Sequence, residues 1–190
     1  MRHLLLALPF ALLPPAVSAA EHNHAHDEHG EHGSLAAHQH GAAQLNIVLD
    51  GQALELQLQS PAMNLVGFEH APKSTADKAK IAAVRSQLEQ PQALFGLSAG
   101  DCTVAKQELE SPMFAAHVDS NEHEHEHASE HSDIQAHYTF TCDQPDDLQQ
   151  LDLRELFKRF PATDKIQVQL IGPNGQQGLE LTPAQPTLSF

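Results

Sequence analysis

The sequence predicts an α+β fold built mainly on antiparallel sheet, and three observations carry that expectation. Leu45, Ile47 and Leu49 alternate with Asn46 and Val48, and beyond Asp50-Gly51 the alternation resumes at Leu54, Leu56 and Leu58. Alternation on both sides of Asp-Gly marks a β-hairpin. Ile166, Val168 and Leu170 alternate up to Pro173-Asn174-Gly175, and Leu179 and Leu181 resume beyond it, which reads as a second hairpin. Only two short segments carry helical spacing, and no strand leads through a Gly-rich turn into a helix as parallel βαβ units do.

Residues 1–20 read as an export signal. Arg2 and His3 precede an apolar run, Leu4 to Val17, broken by Pro9, Pro14 and Pro15. Small residues then suit cleavage near Ala19 or Ala20, and the run is too short and Pro-rich for a membrane span. No other segment is apolar enough to cross a bilayer, so an exported protein of an envelope compartment without stable membrane association is expected. Residues 21–40 form a His-rich segment. Residues 41–190 form a single α+β domain with a His-rich loop over 111–134.

Within that domain the first helix is expected at Ser74-Thr-Ala-Asp77, a capping-box pattern. Ile81, Val84 and Leu88 follow at helical spacing, and Pro91 closes the segment. A second box is expected at Asp152 with Glu155. There Leu153, Leu156, Phe157 and Phe160 fall at i, i+3, i+4 and i+7 before Pro161. Ala136, Tyr138, Phe140 and Cys142 alternate as a strand, and Cys102 to Glu108 is a weaker one. The order is hairpin, helix, strand, His loop, strand, helix, hairpin, which hints at two similar halves without a residue-level repeat.

The net charge of −15, from 10 Lys and Arg against 25 Asp and Glu, excludes a nucleic-acid or anionic-lipid surface, since both need a basic face. Two Cys exclude a multi-Cys zinc finger. In an oxidising compartment Cys102 and Cys142 are expected to pair, stabilising the fold by about 4 kcal/mol through loop closure. The competing reading makes them thiolate metal ligands.

Of the fifteen His, seven lie between residues 21 and 40 and six between 117 and 137. The first set is His22, His24, His26, His29, His32, His38 and His40. The second is His117, His123, His125, His127, His131 and His137. Neither segment has apolar periodicity, so neither offsets its own ordering entropy by burial. Neutral imidazole suits zinc, copper and nickel. His-x-His spacing sets two rings on one side of an extended chain, and the intervening Glu residues attract cations. The formal HExxH match at His123–His127 and the HxxEH match at His127–His131 are expected by chance where Glu and His alternate. No apolar helical face surrounds them, so a zinc hydrolase is disfavoured.

His38 and His40 stand immediately before the first hairpin, and Glu69 and His70 lie in the loop before the first helix. A domain site of His38, His40 and His70 follows if the hairpin brings that loop back. Glu69 would be its fourth ligand or would orient His70. His137 faces away from Tyr138 and could join from the second segment. Such a site should bind more tightly than the tracts, because it is partly preorganised.

His38-Gln39-His40-Gly41, Ser60-Pro61, Asn64-Leu65-Val66-Gly67-Phe68-Glu69-His70-Ala71-Pro72, Cys102, Cys142 and Leu156-Phe157-Lys158-Arg159-Phe160-Pro161 together resemble the ZrgA family of periplasmic zinc-binding proteins. The resemblance spans nearly the whole mature chain, and the Gly-Phe-Glu-His-Ala-Pro block is its most specific part. It implies capture of Zn2+ in the periplasm for an ABC-type zinc importer. It also implies a mixed α/β fold with pseudo-twofold halves and a mobile His-rich loop. The alternative is a periplasmic buffer or chaperone for zinc, copper or nickel with no transporter partner.

Overall fold

The computed structural model describes residues 39–114 and 132–190. The expected export signal over residues 1–20 and all but the end of the N-terminal His-rich segment lie outside the described residues, as does most of the second segment.

The first hairpin forms where the alternation predicts it. β1 (Ala42–Asp50) pairs antiparallel with β2 (Ala53–Pro61), with Ile47 opposite Leu56. Pro61 then ends the strand and leads into α1 (Ala62–Leu65). α2 (Thr75–Leu88) starts at the expected capping box, in which the Ser74 side chain accepts from the Asp77 N–H and the Asp77 carboxylate accepts from the Ser74 N–H. Pro91 does not simply close this helical segment. It opens α3 (Pro91–Phe95), because a proline at the first helical position loses no helix hydrogen bond and already has helical φ.

β3 (Cys102–Glu110) and β4 (Asp133–Cys142) form the pair flanking the second His-rich segment. Both ends of that loop are more ordered than its composition suggests. Pro112–Phe114 form a 3-10 turn with Met113 buried, and β4 begins at Asp133, opposite Pro61. β5 (Gln150–Asp152) precedes α4 (Arg154–Arg159). The capping box expected at Asp152 is absent: Leu153 is the N-cap residue, and the Asp152 carboxylate accepts from the Arg154 N–H and guanidinium instead. β6 (Lys165–Gly172) and β7 (Gly175–Leu181) make the second hairpin, and β8 (Thr187–Ser189) pairs with β5.

The main sheet has six strands in the order β3-β4-β2-β1-β6-β7, antiparallel except for the β1–β6 pair. The two hairpins and the β3–β4 pair thus share one sheet, with β4 inserted between β2 and β3. One face is apolar and covered. Leu45, Leu56, Tyr138 and Val168 point into the core beside Leu88 of α2, Phe95 of α3 and Leu156 of α4. The Phe95 ring meets Tyr138 edge-on at 5.6 Å. The opposite face is a lawn of amides open to solvent, including Gln44, Gln57, Gln59 and Gln169. Among the described residues no helix is long and apolar enough to cross a membrane.

Cys102 and Cys142 are directly opposed across β3 and β4 and form a disulfide. Sulfur atoms joined in this way are not thiolate ligands, so the competing metal-ligand reading of the two Cys fails.

Candidate metal centre

The start of β1, the end of β2, the end of β3 and the start of β4 all lie at one end of the sheet. The register requires this: Gln44 sits opposite Gln59, Pro61 opposite Asp133, and Glu110 opposite Gln135. Each His-rich segment is therefore joined by sequence to this same end. The disulfide lies at the other.

At the His end, residues 39–42 form a tight turn in which the Ala42 N–H donates to the Gln39 carbonyl at 3.1 Å. Gly41 occupies the third position with φ +82°, a left-handed conformation that L side chains rarely adopt. A side chain there would also run into the Asp164 carboxylate. The Gly41 carbonyl accepts from the backbone N–H groups of Asp164 and Lys165, which ties the turn to the start of β6. His40 is thus presented from a fixed backbone.

The His40 Nε2 lies 3.2 Å from the Glu69 Oε1. The two groups differ in exposure: the imidazole is 51% exposed and the carboxylate 9%. A shielded carboxylate beside a solvent-facing imidazole draws a cation to the imidazole. An imidazole nitrogen and a carboxylate oxygen this close can face one cation together. The Glu69 loop is itself held, because the Ser132 hydroxyl donates to the Glu69 carbonyl at 3.2 Å and the Ser132 carbonyl accepts from the Ala62 N–H at 2.8 Å.

His70 follows Glu69 on the exposed side of the same loop. Its ring stacks on Phe68 with centroids 4.7 Å apart, and its Nδ1 is 3.0 Å from the Ala71 carbonyl. A carbonyl only accepts, so Nδ1 carries the proton and Nε2 keeps a lone pair for a metal. The structure therefore joins His40 to Glu69 and holds His70 one residue further on. Among the described residues no group of three or more His, Cys, Asp or Glu is placed to hold a metal ion. His38 lies outside the described residues, as do His22, His24, His26, His29, His32, His117, His123, His125, His127 and His131.

His137 does face away from buried Tyr138, as its strand parity predicts. It lies four residues along β4 from Asp133, on the open amide face, where its Nε2 accepts from the Gln57 side-chain amide at 3.0 Å. That face carries a groove of about 240 Å³ whose lining includes His137, Gln57, Glu108 and Lys106. The Lys106 ammonium is 3.0 Å from the Glu108 carboxylate and competes there with any metal.

Reasoning from sequence passed over Asn64. It is 2% exposed, and its side chain bonds to Gly41, Ala42 and Ser60. The available signal was a single amide inside the apolar run Ala62-Met63-Asn64-Leu65-Val66.

Residues 37–190 match the family model described as ZrgA family zinc uptake protein. No curated protein matches the chain.

Proposed function

We propose that this chain, which belongs to the ZrgA family of zinc uptake proteins, is exported to the periplasm, captures Zn2+ there and hands it to an ABC-type importer. The observation that carries this reading is the His40–Glu69 pair at the end of the sheet to which both His-rich segments are joined. Zinc normally takes four N, O or S ligands in a tetrahedron. The pair supplies an imidazole and a carboxylate, His70 supplies a second imidazole nearby, and the His-rich tracts add looser binding of their own. The tracts raise the local supply of ligands, while the turn-held His40 fixes where the ion comes to rest. Bound zinc is the cargo, so no residue is assigned a catalytic role.

The test is a zinc titration of the mature exported protein against a competing chelator, repeated with copper and nickel. Intrinsic affinity favours copper at a loose imidazole site, so zinc preference must come from the built part of the site. A tighter and a weaker phase are expected. His40→Ala combined with Glu69→Gln should remove the tighter one, and deletion of residues 121–131 should reduce the weaker one. Release should occur as pH falls from about 6.5 to 5, because imidazoles must be neutral to bind. A tight phase that survives the double variant overturns the reading and moves the affinity to the tracts.

A further inference from the structure

We propose that Asn64 is the positioning residue of the zinc site, holding the turn that presents His40 to Glu69. The inference rests on the reading of that pair as zinc donors. Asn64 sits in the four-residue α1 and is almost wholly buried. Its Oδ1 accepts from the Gly41 N–H at 2.7 Å. Its Nδ2 donates to the Ala42 carbonyl at 3.0 Å and to the Ser60 hydroxyl at 3.1 Å.

Two of these bonds grip the backbone immediately after His40, and the third orients the amide from the end of β2. The remaining ties on Gly41 are backbone bonds to residues 164 and 165 on the other side of the turn. The turn is therefore clamped between α1 and the start of β6, and Asn64 is the side-chain jaw. A residue that only filled space here would be apolar, since a buried amide is costly wherever its bonds are not made. Asn64 instead commits its acceptor and both donors to locating this turn. α1 also holds the far side of the site, because the Ala62 N–H donates to the carbonyl of Ser132, whose hydroxyl donates to the Glu69 carbonyl. The same helix thus sets the position of both partners in the His40–Glu69 pair.

The experiment compares Asn64→Ala, Ser60→Ala, Leu65→Ala and His40→Ala in the full mature protein. The probe is Zn2+ alone against a chelator, and amide exchange at Gly41 is measured in the metal-free protein. Loss of a residue that orients a metal ligand weakens metal binding by roughly 10–100-fold, and that loss is expected for the tighter phase in Asn64→Ala. Leu65→Ala removes packing from the same helix and spares the three bonds. It should lower the melting temperature while holding tight-phase affinity within about twofold, well inside the effect expected of a ligand-orienting residue. Gly41 exchange should quicken in Asn64→Ala and stay slow in Leu65→Ala. Equal affinity losses in these two variants, or unchanged Gly41 exchange in Asn64→Ala, would overturn the assignment. If Asn64→Ala does not fold, Ser60→Ala decides: a smaller loss in the same direction supports the role, and none rejects it. A tight phase that persists in His40→Ala removes the donor reading, whereas the Gly41 exchange still reports whether Asn64 holds the turn.

Discussion

Tyr138 is buried in β4 with its hydroxyl donating to the Leu88 carbonyl at 2.9 Å, at the last residue of α2. One phenol thus satisfies a helix-end carbonyl that has no partner in its own helix. Burial, with Glu89 adding to it, pushes the Tyr138 hydroxyl well above the ordinary tyrosine range. The folded protein therefore keeps this proton longer than the unfolded chain does. The associated stability is complete below about pH 10, the unfolded value, and is lost as pH rises beyond it. Tyr138→Phe should cost about 1–2 kcal/mol at neutral pH by orphaning a buried carbonyl. It should also flatten the fall in stability above about pH 10. Urea unfolding of both proteins between neutral and alkaline pH measures each effect. An unchanged alkaline slope would show that some other group governs it.

At the level of elements, legibility followed length and local chemistry. The two hairpins could be read because Asp50-Gly51 and Asn174-Gly175 fix their turns and period-2 alternation fixes their faces. α2 could be read because its cap is local: Ser74 and Asp77 satisfy each other's backbone N–H within one turn. Ser74→Ala should therefore cost about 1 kcal/mol, seen as a lower melting temperature with the sheet intact. α1 and α3 escaped because four or five residues carry no periodicity, and Pro91 looks the same in sequence whether it stops one helix or starts the next. Asp152 misled because its carboxylate had a stronger local option in the Arg154 guanidinium than in a backbone cap. The site divides in the same way. His40, Glu69 and His70 were legible as donor types, and the disulfide from the Cys count and the expected export. The sequence grouped Glu69 with His40 only on the condition that the hairpin returns the loop, and that return depends on strand register, on α1 and on Ser132 arriving from the far side of the second His-rich segment.

Across the whole molecule the sheet separates two kinds of constraint. At one end Cys102 and Cys142 join the start of β3 to the end of β4, and the other end, where the second His-rich segment leaves and re-enters these strands in sequence, carries His40 and Glu69. The disulfide closes a separation of 40 residues, and loop closure of that size contributes about 4 kcal/mol by restricting the unfolded chain. Its effect acts on the unfolded state, and its atoms are a full strand length away from the proposed zinc donors His40 and Glu69. Reduction should therefore lower the urea midpoint markedly while leaving the tight zinc phase unchanged at temperatures where the reduced protein is still folded. Bound zinc should in turn raise the midpoint of the oxidised and reduced forms by similar amounts, because a ligand that binds only the native state stabilises according to its concentration and affinity alone. The measurement is a pair of unfolding curves, with and without reductant, each at zero and saturating zinc. A reduced protein that is folded yet has lost the tight phase would show that the covalent end and the donor end are coupled through the β3–β4 ladder, and the separation argued here would fail.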